Sequence, residues 1–212
     1  MNLPTEQQCL DYFDQYVVPE NIREHCLKVR EVAVFLAKKL TGRGLDIDLE
    51  LVDRTALLHD LFKVVVIKDP RPNKFHKRAF TEEETEMWKK LREKYAGMYE
   101  SEVAYEVFKD EFPELAAAIK NSSDIKNKDK SWEELAAHYA DFRVFRNQVA
   151  SNEEIFAYLK EQYPVSGDDD VWEKFSQLLK EEEEKLFLYL DFSPDNLAIE
   201  VENGIKVENK IK

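Results

Sequence analysis

Apolar residues recur along this chain at intervals near 3.6 positions, and strictly alternating stretches are scarce, so the pattern predicts helices for most of its length. Thr5 caps a first helix to about Tyr16. Pro19 suits the first turn of a second helix, which runs to Leu40, stops at Thr41-Gly42 and gathers Ile22, His25, Val29, Val32 and Leu36 on one face. A third begins near Asp48 and carries Leu51, Val52, Thr55, Leu58, His59 and Phe62 along one side. Thr81 with Glu84 forms a capping-box pattern for a helix to about Tyr95, and further helices are expected near Tyr99 to Glu111 and Pro113 to Asn121. Ser131 with Glu134 opens a helix from Trp132 to Asn147, with Ala137, His138, Asp141, Val144 and Phe145 on one face. Two more are expected at about Asn152 to Gln162 and Asp170 to Leu190.

The pattern changes at the end of the chain. Around Asn203-Gly204 the residues from Leu197 to Glu208 alternate, and Asn-Gly is the signature of a two-residue hairpin turn. The expectation is therefore an all-α domain over residues 1–190 and a tail, 191–212, with a small C-terminal β-hairpin. A strand edge there would offer pairing to a partner chain, a homodimer being one such arrangement.

A length of 212 residues supports a proper core and a pocket. The net charge of −13 argues against a general nucleic-acid surface but not against a small anionic substrate met by a local basic patch. Such a patch exists in Lys68 to Arg78, a proline-broken stretch with five Lys or Arg among eleven residues. It is a candidate anion-facing loop, with Phe75 placed to stack on a base and Lys74, His76 and Lys77 near phosphate; a solvated linker is the plain alternative. Two cysteines and a polar start give neither a disulfide framework nor a secretion signal, and no apolar run approaches the roughly 20 residues that span a bilayer. The expectation is a cytoplasmic protein with no membrane partner.

The candidate chemistry sits in Thr55-Ala56-Leu57-Leu58-His59-Asp60-Leu61-Phe62-Lys63. An imidazole and a carboxylate among Leu and Phe are costly to bury unless partnered, and a divalent cation partners both. His25 and Asp141, on helices before and after, complete a set of two imidazoles and two carboxylates. Mixed nitrogen and oxygen donors suit one divalent transition metal ion, Mn, Fe, Co, Ni or Zn, better than calcium. Four protein ligands on an octahedral ion leave room for a water and a phosphoryl oxygen, the arrangement for metal-assisted hydrolysis.

In its order of His, His-Asp and distant Asp, the chain resembles the HD-domain superfamily of metal-dependent phosphohydrolases, over roughly residues 15–150. The segments that carry the likeness are Arg23-Glu24-His25-Cys26-Leu27-Lys28-Val29, the run around His59-Asp60, and Tyr139-Ala140-Asp141-Phe142-Arg143-Val144. The resemblance implies a helical bundle in which His25, His59, Asp60 and Asp141 bind the metal and Lys63 contacts substrate phosphate. Asp60 or Asp141 would also take the proton of the metal-activated water. Binuclear members carry additional histidines, whereas the corresponding segments here read Met98-Tyr99-Glu100-Ser101 and Lys120-Asn121-Ser122, which favours one metal.

Around this set, Arg143 is a candidate phosphate contact and Arg146 a weaker one, His138 a minor participant, and Glu100 a base or simply a solvated glutamate. Cys26 reads as a small buried apolar residue. The expected function is hydrolysis of a nucleotide-like or other small phosphate ester or anhydride. The alternative is a catalytically weak metal- or nucleotide-binding module with a regulatory or protein-interaction role.

Overall fold

A computed structural model describes residues 1–67, 78–162 and 169–211. The short-range caps form as their sequences require. Thr5 and Gln8 close a capping box on α1 (Glu6–Gln15), Thr81 and Glu84 on α4 (Glu82–Lys94), and Ser131 and Glu134 on α7 (Trp132–Phe142). Pro19 leads into α2 (Glu20–Thr41), and Asp48 accepts from the backbone of Glu50 and Leu51 at the start of α3 (Leu49–Leu58). After a 3-10 turn at Lys63–Val65 and α4 come α5 (Glu100–Phe108) and α6 (Pro113–Ser123), then α7. The chain ends in α8 (Asn152–Gln162), α9 (Asp169–Phe187) and α10 (Leu197–Ile211).

Helix α3 lies at the centre, packed against α2, α6 and α7. One apolar cluster joins α1, α3, α5 and α6 through residues such as Phe13, Leu58, Phe62, Phe108 and Ile119. A second joins α2 and α7 to the end of the chain through Leu36, Leu40, Tyr139, Leu186, Leu197 and Val201. Leu57, Leu58, Leu61 and Phe62 are fully buried on both sides of His59-Asp60. At roughly 1.5–3 kcal/mol for each such side chain, these residues anchor the segment that carries the polar pair.

Three boundaries depart from the expectation. Helix α3 stops at Leu58, so His59 and Asp60 lie in a turn. Helix α7 stops at Phe142, and Val144–Phe145 pairs antiparallel with Gln148–Val149 as strands β1 and β2, with Arg146 in the left-handed region at φ 61°. The tail, read as a β-hairpin, is instead α10. Gly204 carries no positive φ; it lies inside that helix where an added Cβ would stand 3.0 Å from the ring of Phe35 on α2. The glycine serves close approach between helices, which an Asn-Gly pattern does not distinguish from a turn. Leu197 and Val201, spaced to share a helix face, are fully buried in the second cluster. No helix among the described residues is long and apolar enough to cross a membrane.

Candidate metal centre

Adjacent residues on an α-helix diverge by about 100° around its axis, so His59 and Asp60 can meet at one point only by reaching round it from either side. Helix α3 ends at Leu58, and His59 keeps right-handed helical dihedrals at φ −56° and ψ −39°, so the two side chains approach the site from its two flanks. His59 Nδ1 donates to the Ala56 carbonyl at 2.8 Å, one of the carbonyls left over at the helix end, so Nε2 is the nitrogen that faces inward. His25 is held the same way from α2, its Nδ1 donating at 3.1 Å to the carbonyl of Arg146 in the β1–β2 turn. The left-handed residue in that turn supplies the oxygen that orients the imidazole.

The inward nitrogens meet one carboxylate. Asp141 Oδ1, from the last turn of α7, lies 2.9 Å from His25 Nε2 and 3.3 Å from His59 Nε2. Asp60 Oδ2 lies 3.8 Å from His59 Nε2, and one ligand atom each of His25, His59 and Asp60 fall within 4.8 Å of one another. The four residues predicted from the sequence are therefore brought together. Lys63 Nζ reaches Asp60 Oδ1 at 3.3 Å and Glu100 Oε1 at 2.9 Å. The side chains of Asp141 and Lys63 keep 37% and 36% exposure while His59 keeps 8%, so the cluster opens to solvent along the edge these two share.

The electrostatics ask for positive charge between these groups. Burial opposes ionisation of His59, yet Asp141 and Asp60 outweigh it and hold its pKa well above the ordinary imidazole range. Burial likewise pushes the Asp141 carboxyl up, but His59 and His25 hold it well below the usual carboxylate range. Asp60 is lowered, its burial outweighed by Lys63 and His59. Lys63 is raised well above its usual value because Asp60 and Glu100 overcome its own desolvation. His59 Nε2 is buried and without a hydrogen bond in aligned geometry. With both Nδ1 atoms spent on carbonyls, neutral imidazoles would turn bare lone pairs on carboxylate oxygens, a repulsive arrangement unless a proton or a cation lies between them. Two nitrogens and two carboxylates are a donor set fit for a divalent transition metal.

The secondary candidates fare differently. Arg143 is buried away from this opening: Nε donates to the Ala150 carbonyl at 2.9 Å, Nη1 to Tyr139 and, at 3.2 Å, to Glu183, and Nη2 to the Pro194 carbonyl at 2.9 Å. A fork engaged on every nitrogen ties α7 to α9 and the following turn and has no edge left for phosphate, which corrects the expectation for this residue. The Arg146 side chain lies over the Phe145 ring. His138 bonds Glu182 on α9 at 2.6 Å and does not join the cluster. Lys74, His76 and Lys77 fall outside the described residues. Cys26 is buried, and burial raises its thiol. Glu100 is more than the solvated helix-start residue its sequence suggests, because it holds Lys63 from 37 positions away, a pairing no local pattern reveals.

A family model described as HD domain matches residues 22–141, more than half the chain and the span from just before His25 to Asp141. HD domains are a superfamily of metal-dependent phosphohydrolases that bind divalent metals. The "Uncharacterized protein MJ0778" of Methanocaldococcus jannaschii is 48% identical over 42 residues, which is 20% of this chain and 25% of that protein. The chain thus spans about a quarter of the length of this curated relative. No solved structure matches the chain.

Proposed function

The chain belongs to the HD-domain family, and from that premise we propose that it is a phosphohydrolase with one divalent metal ion held by His25, His59, Asp60 and Asp141, acting on a nucleotide-like or other small phosphate ester or anhydride. The observation that carries the reading is the convergence of two imidazole Nε2 atoms on Asp141 while both Nδ1 atoms are committed to carbonyls. A bound ion supplies a Lewis acid that lowers the pKa of water and offsets charge at phosphorus. The protein's own part is to fix both imidazoles in the tautomer that leaves Nε2 free, and to exclude water behind them with Leu57, Leu58 and Leu61.

Asp141 lies on the open edge, where its free carboxylate surface can take a proton from an incoming water. Lys63 shares that edge. Held between Asp60 and Glu100, it stays charged and presents an ammonium to a phosphate oxygen, a contact that needs a point charge rather than a fork.

The test is phosphate release by purified protein loaded in turn with Mn²⁺, Fe²⁺, Co²⁺, Ni²⁺ and Zn²⁺, across a panel of phosphomonoesters and nucleotides. Ion-dependent release that disappears in Asp60→Ala is expected. Absence of release from the whole panel would refute hydrolysis, and ion binding without turnover would favour the binding-module reading.

A further inference from the structure

A cleft of about 620 Å³ is walled by Val65, Val66 and Ile67 and by Met98 and Tyr99, with Arg92 of α4 also lining it. Both walls are continuous along the chain with the Lys63–Glu100 pair at the edge of the cluster. Val65 closes the 3-10 turn that begins at Lys63, and Tyr99 is the N-cap residue immediately before Glu100, the carboxylate that holds Lys63 Nζ. A phosphate seated at Lys63 therefore has this cleft as a neighbouring place for the rest of its molecule.

The cleft's side chains are mostly apolar, with one cation, while polar groups contribute nearly half of its exposed surface. Tyr99 is 71% exposed, which leaves its ring faces open to a ligand. Arg92 spends Nη1 on the Ile67 carbonyl at 2.7 Å and makes no ion pair among the described residues. In a chain with 44 acidic side chains against 31 Lys and Arg, a half-buried guanidinium without an acidic partner among the described residues is conspicuous. The helix itself denies it one: positions three and four away on either side are Lys89, Trp88, Tyr95 and Ala96. The bond to Ile67 fixes the guanidinium in the wall while its other nitrogens remain available as a fork for an oxyanion.

We propose that this cleft receives the far end of the substrate, an apolar or aromatic body packed against Val65, Ile67 and Tyr99 with a second oxyanion, phosphate or carboxylate, on Arg92. The proposal rests on the phosphohydrolase reading for the position of the reacting phosphate, and it narrows the substrate class to phosphate compounds bearing a second negative group beyond an apolar spacer. A neutral far end would leave Arg92 desolvated against the ligand with nothing to accept from it, so the cleft selects against such compounds as well as for charged ones.

The test is calorimetric binding of three non-hydrolysable probes to the full chain loaded with Mn²⁺: phenylphosphonate, 4-carboxyphenylphosphonate and 1,4-phenylenebisphosphonate. A charge-assisted contact predicts about 10- to 100-fold tighter binding of the two doubly anionic probes than of phenylphosphonate. The stronger of those two shows whether carboxylate or phosphate is the second group. Arg92→Ala should bring all three probes to about the same affinity. Should that variant not fold, Arg92→Lys, which keeps the charge and loses the fork, should reduce the preference severalfold. Equal binding of the three probes by the unaltered protein, failure of all three to bind, or an undiminished preference in either folded variant would overturn the proposal. Phosphate release is measured separately, so an Arg92-dependent preference without turnover would sink the hydrolase reading alone.

Discussion

Helix α7 carries two pairings of histidine with carboxylate, one at an edge open to solvent and one buried, and they teach different things. At its end, Asp141 meets His25 and His59, with Asp60 close by. One turn earlier, His138 meets Glu182 at 2.6 Å, and the other oxygen of Glu182 takes Lys130 Nζ at 3.1 Å. Both His59 and His138 leave a buried Nε2 without a hydrogen bond, so an orphaned imidazole nitrogen is not by itself the mark of a metal site. What faces it decides. His59 Nε2 looks at two carboxylates along an edge open to solvent, whereas His138 lies edge-on to Phe142 and its one carboxylate is already balanced by a buried lysine. The first arrangement has an excess of acceptors and asks for a cation. The second closes its own charge and works as a clip between α7 and α9.

The largest effect expected from breaking this contrast is on the first cluster. Asp60→Ala or His59→Ala should abolish retention of the ion and lower phosphate release by about 10³-fold, the equivalent of several kcal/mol of charge stabilisation, while circular dichroism stays helical. On the second cluster the effect should move from chemistry to stability. Glu182→Ala strands Lys130 and His138 in the interior, and urea unfolding should show a loss of about 3–5 kcal/mol with one ion per chain still bound. A variant that lost the ion instead would erase the distinction drawn between the two clusters.

The pH dependence sharpens it further. Without metal, the raised pKa of His59 contributes stability that is complete below the unfolded imidazole value near 6.5 and is lost as pH rises through the raised folded value. The lowered pKa of Asp141 contributes above about 3.9, and that part is lost as pH falls through its depressed folded value. Metal must displace the histidine proton, so the stabilisation given by a fixed excess of ion should grow with pH, by up to about 1.4 kcal/mol per unit for each proton released. Melting curves of metal-free and metal-loaded protein should therefore diverge from weakly acidic to alkaline pH. Parallel curves would mean that no proton leaves when the ion binds.

The smallest effect belongs to the tail. In Gly204→Ala the gain in helix propensity, up to about 1 kcal/mol, opposes the crowding of Phe35, so unfolding should shift by no more than about 1 kcal/mol. Gly204→Val adds bulk that the ring cannot absorb and should cost about 1–3 kcal/mol. Tolerance of valine without loss would place the tail away from α2.

Features encoded within four residues are legible in the sequence itself. The capping boxes at Thr5, Thr81 and Ser131 and the polar pair in the apolar run around His59 are of this kind, because their physics is local. The stop of α3 at Leu58 is hidden in the sequence because the apolar periodicity continues through Phe62 and no glycine, proline or capping residue marks the end. Arg143 misleads for a similar reason: besides Tyr139 and Ala150 nearby, it is tied to Glu183 and Pro194, 40 and 51 residues along the chain, and a motif neighbour of Asp141 looks functional without them. Gly204 shows that a turn signature and a helix contact can share two letters.

The most direct measurement is the structure of the ion site itself, by anomalous diffraction from metal-loaded crystals. The account predicts one ion per chain within about 2.0–2.6 Å of His25 Nε2, His59 Nε2 and a carboxylate oxygen from each of Asp60 and Asp141. An ion bound elsewhere, or an Asp141 carboxylate turned away to solvent with the two histidines unligated, would contradict it.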